Sequence, residues 1–146
     1  MKGTIVMIHG MFGAAWCWEN YVPYFEERGW HCITPTLRHH EQAPGETPSP
    51  DLGTTSLLDY ASDLEALINT LDEPPVIMGH SMGGLLAQIV SARTAPRAVV
   101  LLTPAPPAGV FVLKPSVVLT FAGLMTQWGF WRKPQYPSFG AMVYST

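Results

Sequence analysis

Charged side chains are scarce in this chain, and their absence limits its partners. Of its 146 residues only 13% are Asp, Glu, Lys or Arg, and the formal net charge is -3. Because the pI is near 5.9, the composition offers no basic footprint for a phosphate backbone, and we expect no nucleic-acid partner. The hydrophobic share of 47% is that of an ordinary globular domain.

Cysteine is almost missing as well, since only Cys17 and Cys32 occur. Neither has the spacing of a metal ligand. His39 and His40 also have no third ligand at a suitable distance along the chain, so we expect no metal site. We interpret both cysteines as free thiols of a reducing compartment rather than as a disulfide.

Long hydrophobic runs are absent too. The apolar run Thr4–Ile8 is short, ends at His9-Gly10 and lacks a small-residue cleavage site, which argues against a signal peptide. The apolar stretch 110–125 is interrupted by Lys114-Pro115, and no run reaches the ~18 residues of a membrane-spanning helix. We therefore predict a cytoplasmic location without a membrane span.

Short strands alternate with helices along the first hundred residues. The predicted strands are 4–8, 30–34, 76–78 and 98–102, and the predicted helices are 14–28, 56–71 and 81–95. This order predicts an α/β fold with a parallel, doubly wound sheet, in which ligands bind beyond the carboxyl ends of the strands. Pro23 predicts a kink or a split in the first helix, and the proline-rich loop 35–55 is long enough to suspect a function.

The character of the sequence changes after residue 103. A linker at 104–109 leads to a segment rich in large apolar residues, with a helix predicted from about Pro115 to Trp128. We therefore divide the chain into a core, 1–103, and the beginning of a helical cap or lid, 104–146. The apolar residues between Phe111 and Trp131 fit ordinary core packing as well as the lining of an acyl or aromatic pocket.

The segment Gly79-His80-Ser81-Met82-Gly83 carries the chemistry of this chain. It has the form G-x-S-x-G, follows an apolar strand and precedes a helix, which predicts a nucleophile elbow with Ser81 at its tip. Glycines let such a turn close without a Cβ clash, and the helix that begins there directs N–H groups toward an oxyanion. No G-K-[S/T] sequence follows, so a phosphate-binding loop is not expected.

A second motif, His9-Gly10-Met11-Phe12-Gly13, follows the first predicted strand. Together the two motifs resemble the α/β-hydrolase superfamily over about residues 3–103. His9-Gly10 followed by the stretch 13–18, Gly-Ala-Ala-Trp-Cys-Trp, is similar to the branch that contains small esterases, lactonases and plant hydroxynitrile lyases.

The resemblance implies a role for each matched residue. Ser81 would be the nucleophile, and the backbone N–H groups of Met82 and Met11 would hold the oxyanion, where loss of one donor costs about 3–4 kcal/mol. We expect Phe12, His80 and Trp128 to contact the substrate. The superfamily's chemistry needs neither a metal nor an organic cofactor.

One departure from the superfamily is large. Its catalytic acid and histidine follow the serine in chain order, yet residues 82–146 contain no Asp, Glu or His. We therefore expect a second polypeptide that carries both groups, from a cut in a cap loop or from a split enzyme. The strand at 98–102, which we predict to be interior and buried on both faces, would otherwise be an unpaired sheet edge.

The other polar side chains have ordinary interpretations. His9 is expected to order its turn by hydrogen bonds, and His80 to point away from Ser81 and pack under the elbow. We interpret His31 as structural and His39 and His40 as parts of a solvated loop, with a substrate contact as the alternative. The helix at 56–71 has a predicted solvated face: Asp59, Asp63 and Glu65.

The sequence thus predicts a serine hydrolase that acts on a carboxylic ester or lactone with apolar acyl or aromatic character, through an acyl-enzyme on Ser81. Two alternatives stay open. One is a catalytically inactive domain that binds a small apolar ligand or a protein. The other keeps a triad but performs hydroxynitrile cleavage or cofactor-free haloperoxidation.

Overall fold

Four parallel strands form the sheet that the sequence predicts. The computed structural model describes residues 2–43, 46–111, 126, 128–129 and 132–134. The strands are β1 (Gly3–Ile8), β2 (Trp30–Ile33), β3 (Val76–His80) and β4 (Ala98–Leu102), and they lie in the order β2-β1-β3-β4. β1 and β3 are therefore neighbours in the middle, and their carboxyl ends meet at the same edge of the sheet.

Three α-helices connect the strands: α1 (Tyr21–Glu26), α2 (Leu57–Ile68) and α3 (Met82–Ser91). The first predicted helix is indeed split, because a 3₁₀ turn at Ala15–Trp18 precedes α1. The break falls before Pro23 rather than at it. Pro23 lies in the first turn of α1, where its missing N–H would have had no intrahelical partner.

Apolar side chains cover both faces of β1. Val6 and Ile8 belong to a core cluster on one face, together with Leu64 of α2 and Leu86 and Val90 of α3. Ile5 and Met7 pack on the other face with Trp18 and Met78. All four strand residues are buried, which the uninterrupted apolar run of a central parallel strand predicts.

The acidic residues of α2 have partners rather than a purely solvated role. Asp59 forms a capping box with Ser56, in which each residue binds the other's backbone N–H. Asp63 accepts two hydrogen bonds from Arg38, one of them 2.6 Å from Nε to Oδ2, and Glu65 lies 3.5 Å from Arg93. The three carboxylates lie on an exposed or half-exposed face of α2, as predicted, and they also cap the helix or pair with arginines.

β4 is not buried on both faces within the described part of the chain. It pairs with β3 on one side only, and Val99 and Leu101 are 39% and 40% exposed. The prediction of an interior strand therefore fails for these residues, since a strand at the sheet edge has neighbours on one flank alone.

The predicted cap and the two cysteines have different outcomes in the structure. Most of the helix predicted for 115–128 lies outside the described residues, and the division at residue 103 stays a prediction. Cys17 and Cys32 are free thiols, as predicted, and burial raises the pKa of both. Within the ranges that the structure describes, no helix has the length and apolarity needed to cross a bilayer.

Candidate active site

Ser81 is the whole connection between β3, which ends at His80, and α3, which begins at Met82. Its backbone has φ 54° and ψ -119°, a conformation that L-residues rarely adopt and that costs about 1–3 kcal/mol. The sharp strand-to-helix turn of the predicted elbow is therefore present. The Ser81 side chain makes no capping hydrogen bond to α3, so the usual use of a serine at a helix start does not occupy this hydroxyl.

Backbone hydrogen bonds on both sides hold Ser81 in this conformation. Its N–H donates to the carbonyl oxygen of Leu102 at the end of β4 at 3.1 Å. Its own carbonyl oxygen accepts from Gly84 at 3.0 Å and from Ala105 at 2.8 Å. The residues just after β4 therefore help to maintain the strained turn, although they are distant from it in sequence.

Two glycines allow the elbow to close. A Cβ on Gly79 would lie 2.1 Å from the carbonyl oxygen of Gly83, and a Cβ on Gly83 would lie 2.2 Å from the carbonyl oxygen of Ile8. The first turn of α3 thus packs directly on the backbone at the end of β1. This confirms the prediction that glycine is needed on both sides of the serine.

The second motif forms a turn beside the elbow. The Gly13 N–H donates to the Gly10 carbonyl oxygen at 3.2 Å, which places Met11 and Phe12 at the tip of the turn. A Cβ on Gly10 would lie 3.3 Å from both the Ser81 Cβ and the His80 Nδ1. The structure therefore brings the two motifs together, as the parallel neighbours β1 and β3 require. The roles of the Met11 and Met82 N–H groups stay predictions.

His9 orders this turn from a fully buried position, as predicted. Its Nδ1 contacts the Gly10 carbonyl oxygen at 2.8 Å, and its Nε2 lies 3.0 Å from the Leu37 backbone nitrogen. Because a peptide N–H can only donate, Nε2 must carry the lone pair and Nδ1 the proton. The ring is therefore neutral, and burial lowers the pKa of His9 from 6.5 to about 4.

His40 lies inside the protein, so the prediction of a solvated loop was wrong for this residue. Its Nδ1 is 3.1 Å from the Gly13 carbonyl oxygen and its Nε2 is 3.2 Å from the Tyr60 hydroxyl. His39, with φ 66°, turns the chain so that the next ring points toward α2. Burial lowers the pKa of His40 as well.

Tyr60 is the partner that sequence reasoning missed. It lies on the buried side of α2, where it is 5% exposed. A buried tyrosine hydroxyl needs a hydrogen-bond partner, and this requirement could have led from Tyr60 to a histidine in the adjacent loop. Since His9 and His40 use both of their ring nitrogens, neither is free to act as the base for Ser81.

The predicted substrate contacts are spread over different parts of the structure. Phe12 is half-buried in the turn, and His80 is exposed at the end of β3 rather than packed under the elbow, because it is the last residue of the strand. Trp128 is 88% exposed, and nearby Arg132 contacts Gly53 in the long loop. All three roles as substrate contacts stay predictions.

In the described ranges, no three His, Cys, Asp or Glu residues gather to form a metal site.

Comparison with known proteins agrees with this geometry. A model of the alpha/beta hydrolase family matches residues 5–145. Methylesterase 4 of Arabidopsis thaliana is 32% identical over 93 residues, which cover 62% of this chain and 34% of that protein. The pyrethroid hydrolase of Sphingobium wenxiniae is 28% identical over 80 residues, or 55% of this chain and 27% of that protein.

A solved structure extends the match in three dimensions. A candidate non-heme bromoperoxidase from Mycobacterium tuberculosis H37Rv superimposes with a TM-score of 0.62 and 28% identity, over 86% of this chain and 44% of its own. This chain therefore spans about a third of the length of the curated relatives and under half of the bromoperoxidase chain.

The close contact at Gly83 predicts a severe loss of stability in Gly83→Ala. The added methyl group would overlap the backbone of β1, which cannot move aside, so we expect the free energy of unfolding to fall by about 3 kcal/mol or more. Urea denaturation measures the change. Gly29→Ala is the control, because no atom lies within 4 Å of its Cβ position and only its φ of +84° opposes the change, at about 1–2 kcal/mol. Equal losses in the two variants would contradict the packing argument.

The buried, neutral His9 predicts that acid destabilises the fold. The unfolded chain binds a proton near pH 6.5, but the folded His9 does so only near pH 4. The contribution of the neutral His9 to the free energy of unfolding, about 3 kcal/mol, is therefore fully present above pH 6.5 and is lost as the pH falls to 4. Urea titrations across this range should show the loss, with His40 adding in the same direction.

His9→Gln should flatten this pH dependence. As a control, Leu64→Ala should lower stability by a similar amount at every pH, because it only opens a cavity. A wild-type stability that stays constant between pH 7 and pH 4 would refute the assignment of a neutral His9.

Proposed function

Because the chain belongs to the alpha/beta hydrolase family, we propose that it carries the nucleophile of a serine esterase that acts on a carboxylic ester or lactone with apolar character. The observation that supports this most strongly is the backbone of Ser81. A strained turn places the Ser81 Cβ beside the Gly10–Gly13 turn, and the hydroxyl makes no capping hydrogen bond to α3. The relatives named methylesterase and pyrethroid hydrolase support ester chemistry in this family.

The proposed reaction begins with attack of the Ser81 Oγ on the substrate carbonyl carbon. A histidine base takes the hydroxyl proton, and the carbonyl oxygen becomes an oxyanion that accepts hydrogen bonds from the N–H groups of Met82 and Met11. The alcohol then leaves with that proton and an acyl-enzyme remains. Water, deprotonated by the same base, attacks the acyl carbon and releases the acid and free Ser81.

The residues near the elbow support the proposal of a substrate with apolar character. Met11 is 50% exposed at the tip of the turn, and Phe12 is half-buried next to it. We propose that these two side chains, together with His80 and Trp128, contact the acyl or aromatic part of the substrate. No metal or organic cofactor enters the proposed reaction.

We propose further that a second polypeptide supplies the acid and the histidine. His9 and His40 are both fully hydrogen-bonded, and residues 82–146 offer no Asp, Glu or His. The exposed flank of β4 offers backbone groups with which a further strand could pair. The free thiols of Cys17 and Cys32 support a cytoplasmic location for the assembly.

A catalytically inactive binding domain is the second candidate. The observation that favours it is that His9 and His40, the two buried histidines beside the Gly10–Gly13 turn, already use both of their ring nitrogens. Haloperoxidase chemistry is the third, supported by the likeness to a candidate bromoperoxidase. Covalent labelling of Ser81 separates the first candidate from the second, and halogenation measured against ester hydrolysis separates it from the third.

We expect a fluorophosphonate to label the native protein at Ser81, because only an activated serine attacks phosphorus at a useful rate. Ser81→Ala should abolish labelling and lower the hydrolysis of a p-nitrophenyl ester by at least about 1,000-fold. Peptide mass mapping locates the adduct. Ser91→Ala is the matched control, because this serine ends the helix that follows Ser81 and its hydroxyl is buried. Labelling that persists in Ser81→Ala would exclude Ser81 as the nucleophile.

The mass of the purified native protein tests the second polypeptide. A denaturing intact-mass spectrum should show a partner beside the 16.0 kDa chain, and its sequence should contain the acid and the histidine. A single heavier species would place these groups on the same polypeptide. A single 16.0 kDa species would contradict both arrangements and favour the binding domain.

A further inference from the structure

Two buried imidazoles hold the two ends of the Gly10–Gly13 turn. His9 contacts the carbonyl oxygen of Gly10 at 2.8 Å, and His40 contacts that of Gly13 at 3.1 Å. The rings lie next to each other, with centroids 5.1 Å apart. The two carbonyl groups that flank Met11 and Phe12 therefore each bind a histidine ring on the side of the turn that faces the protein interior.

Each imidazole is in turn fixed by a different element. Leu37, which is 3% exposed in the core, donates its backbone N–H to the His9 ring, and the backbone N–H of His40 donates to the Leu37 carbonyl oxygen at 3.0 Å. Tyr60 of α2 contacts the other nitrogen of His40 at 3.2 Å. The ion pair between Arg38 and Asp63 attaches the same loop to α2.

The hydrogen-bond directions around His40 follow from its partners. The Gly13 carbonyl oxygen only accepts, so Nδ1 carries the proton, and in the neutral ring Nε2 accepts from the Tyr60 hydroxyl. The tyrosine O–H thus selects the tautomer that can donate to Gly13. Without that hydroxyl, the ring can lose the orientation in which it supports the turn.

We propose that His40 and Tyr60 are positioning residues that hold the Gly10–Gly13 turn in the place from which its backbone N–H groups face the tetrahedral oxyanion. The inference rests on the proposed serine esterase. It adds residues of the long loop and of α2, which touch no substrate, to the groups that set the rate. Displacing a catalytic group by about 1 Å costs up to about 100-fold in rate, so a small tilt of the turn is enough.

Substitutions that separate the two hydrogen bonds of His40 test this proposal in the native enzyme, complete with any partner polypeptide. Tyr60→Phe removes one hydroxyl and keeps the packing, so we expect kcat to fall by about 10-fold. His40→Ala removes both hydrogen bonds and should lower kcat by about 100-fold. His40→Asn keeps a donor in the place of Nδ1 and should recover most of the rate.

The pattern of kinetic constants distinguishes positioning from a loss of folding. An oxyanion contact strengthens in the transition state, so KM should change by less than about threefold while kcat falls. The affinity for a phenylboronic acid, whose adduct with a serine mimics the tetrahedral intermediate, should fall by the same factor as kcat/KM.

Two controls on α2 complete the design. Ser62→Ala removes another hydroxyl of this helix, one that donates to Leu58 on the exposed side, and should leave kcat unchanged. Leu64→Ala should lower the melting temperature but leave the kcat of the folded enzyme unchanged. A wild-type kcat in both Tyr60→Phe and His40→Ala would overturn the inference. Losses of activity that merely equal the fraction of unfolded protein would also overturn it. So would a His40→Asn variant whose kcat is no higher than that of His40→Ala.

The failure of the proposed function has a different signature. If Ser81→Ala retains full ester hydrolysis, the serine mechanism is wrong and the positioning role falls with it. If Ser81→Ala is inactive while Tyr60→Phe and His40→Ala match the wild type, only the positioning role is overturned.

Discussion

The contact between the first turn of α3 and the end of β1 determines the rest of the structure. A side chain on Gly83 would overlap the Ile8 carbonyl oxygen at the end of β1, and a side chain on Gly79 of β3 would overlap the Gly83 carbonyl oxygen in the same turn of α3. This contact aligns the carboxyl ends of β1 and β3 and forces the chain through the strained conformation of Ser81. The Gly10–Gly13 turn can then lie within van der Waals reach of the elbow. Interior packing of main chain on main chain thus sets the geometry of the elbow itself.

Neutral imidazoles support this arrangement from the interior. His9 and His40 lie under the Gly10–Gly13 turn, where the desolvation cost of a charged ring is the largest influence on the pKa of each imidazole and lowers it. Their lowered pKa values and their hydrogen-bond directions describe the same state of the rings. Histidine serves here as a rigid connector with one donor and one acceptor, and not as an acid or a base.

The sequence predicted most of the fold because each strand and helix has a local signature. The apolar runs gave the four strands, and the G-x-S-x-G segment gave the elbow with its glycines. His9 was correctly assigned to the turn, since His-Gly directly follows a buried strand. Predictions failed where a neighbour in space decides the outcome: His40 is buried because α2 presents the Tyr60 hydroxyl to it, and β4 is exposed because it has one neighbour. Neither fact has a local pattern.

The backbone conformation of Ser81 makes a side chain at this position unfavourable for the stability of the fold. At a φ of 54° and a ψ of -119°, glycine would satisfy the fold better than any residue with a Cβ. A domain maintained only for binding would gain stability by losing this side chain, and most substitutions that relieve strain at a catalytic position do so at the expense of activity. Under the proposed function, serine at this position would exchange part of the stability of the fold for the hydroxyl that attacks the substrate.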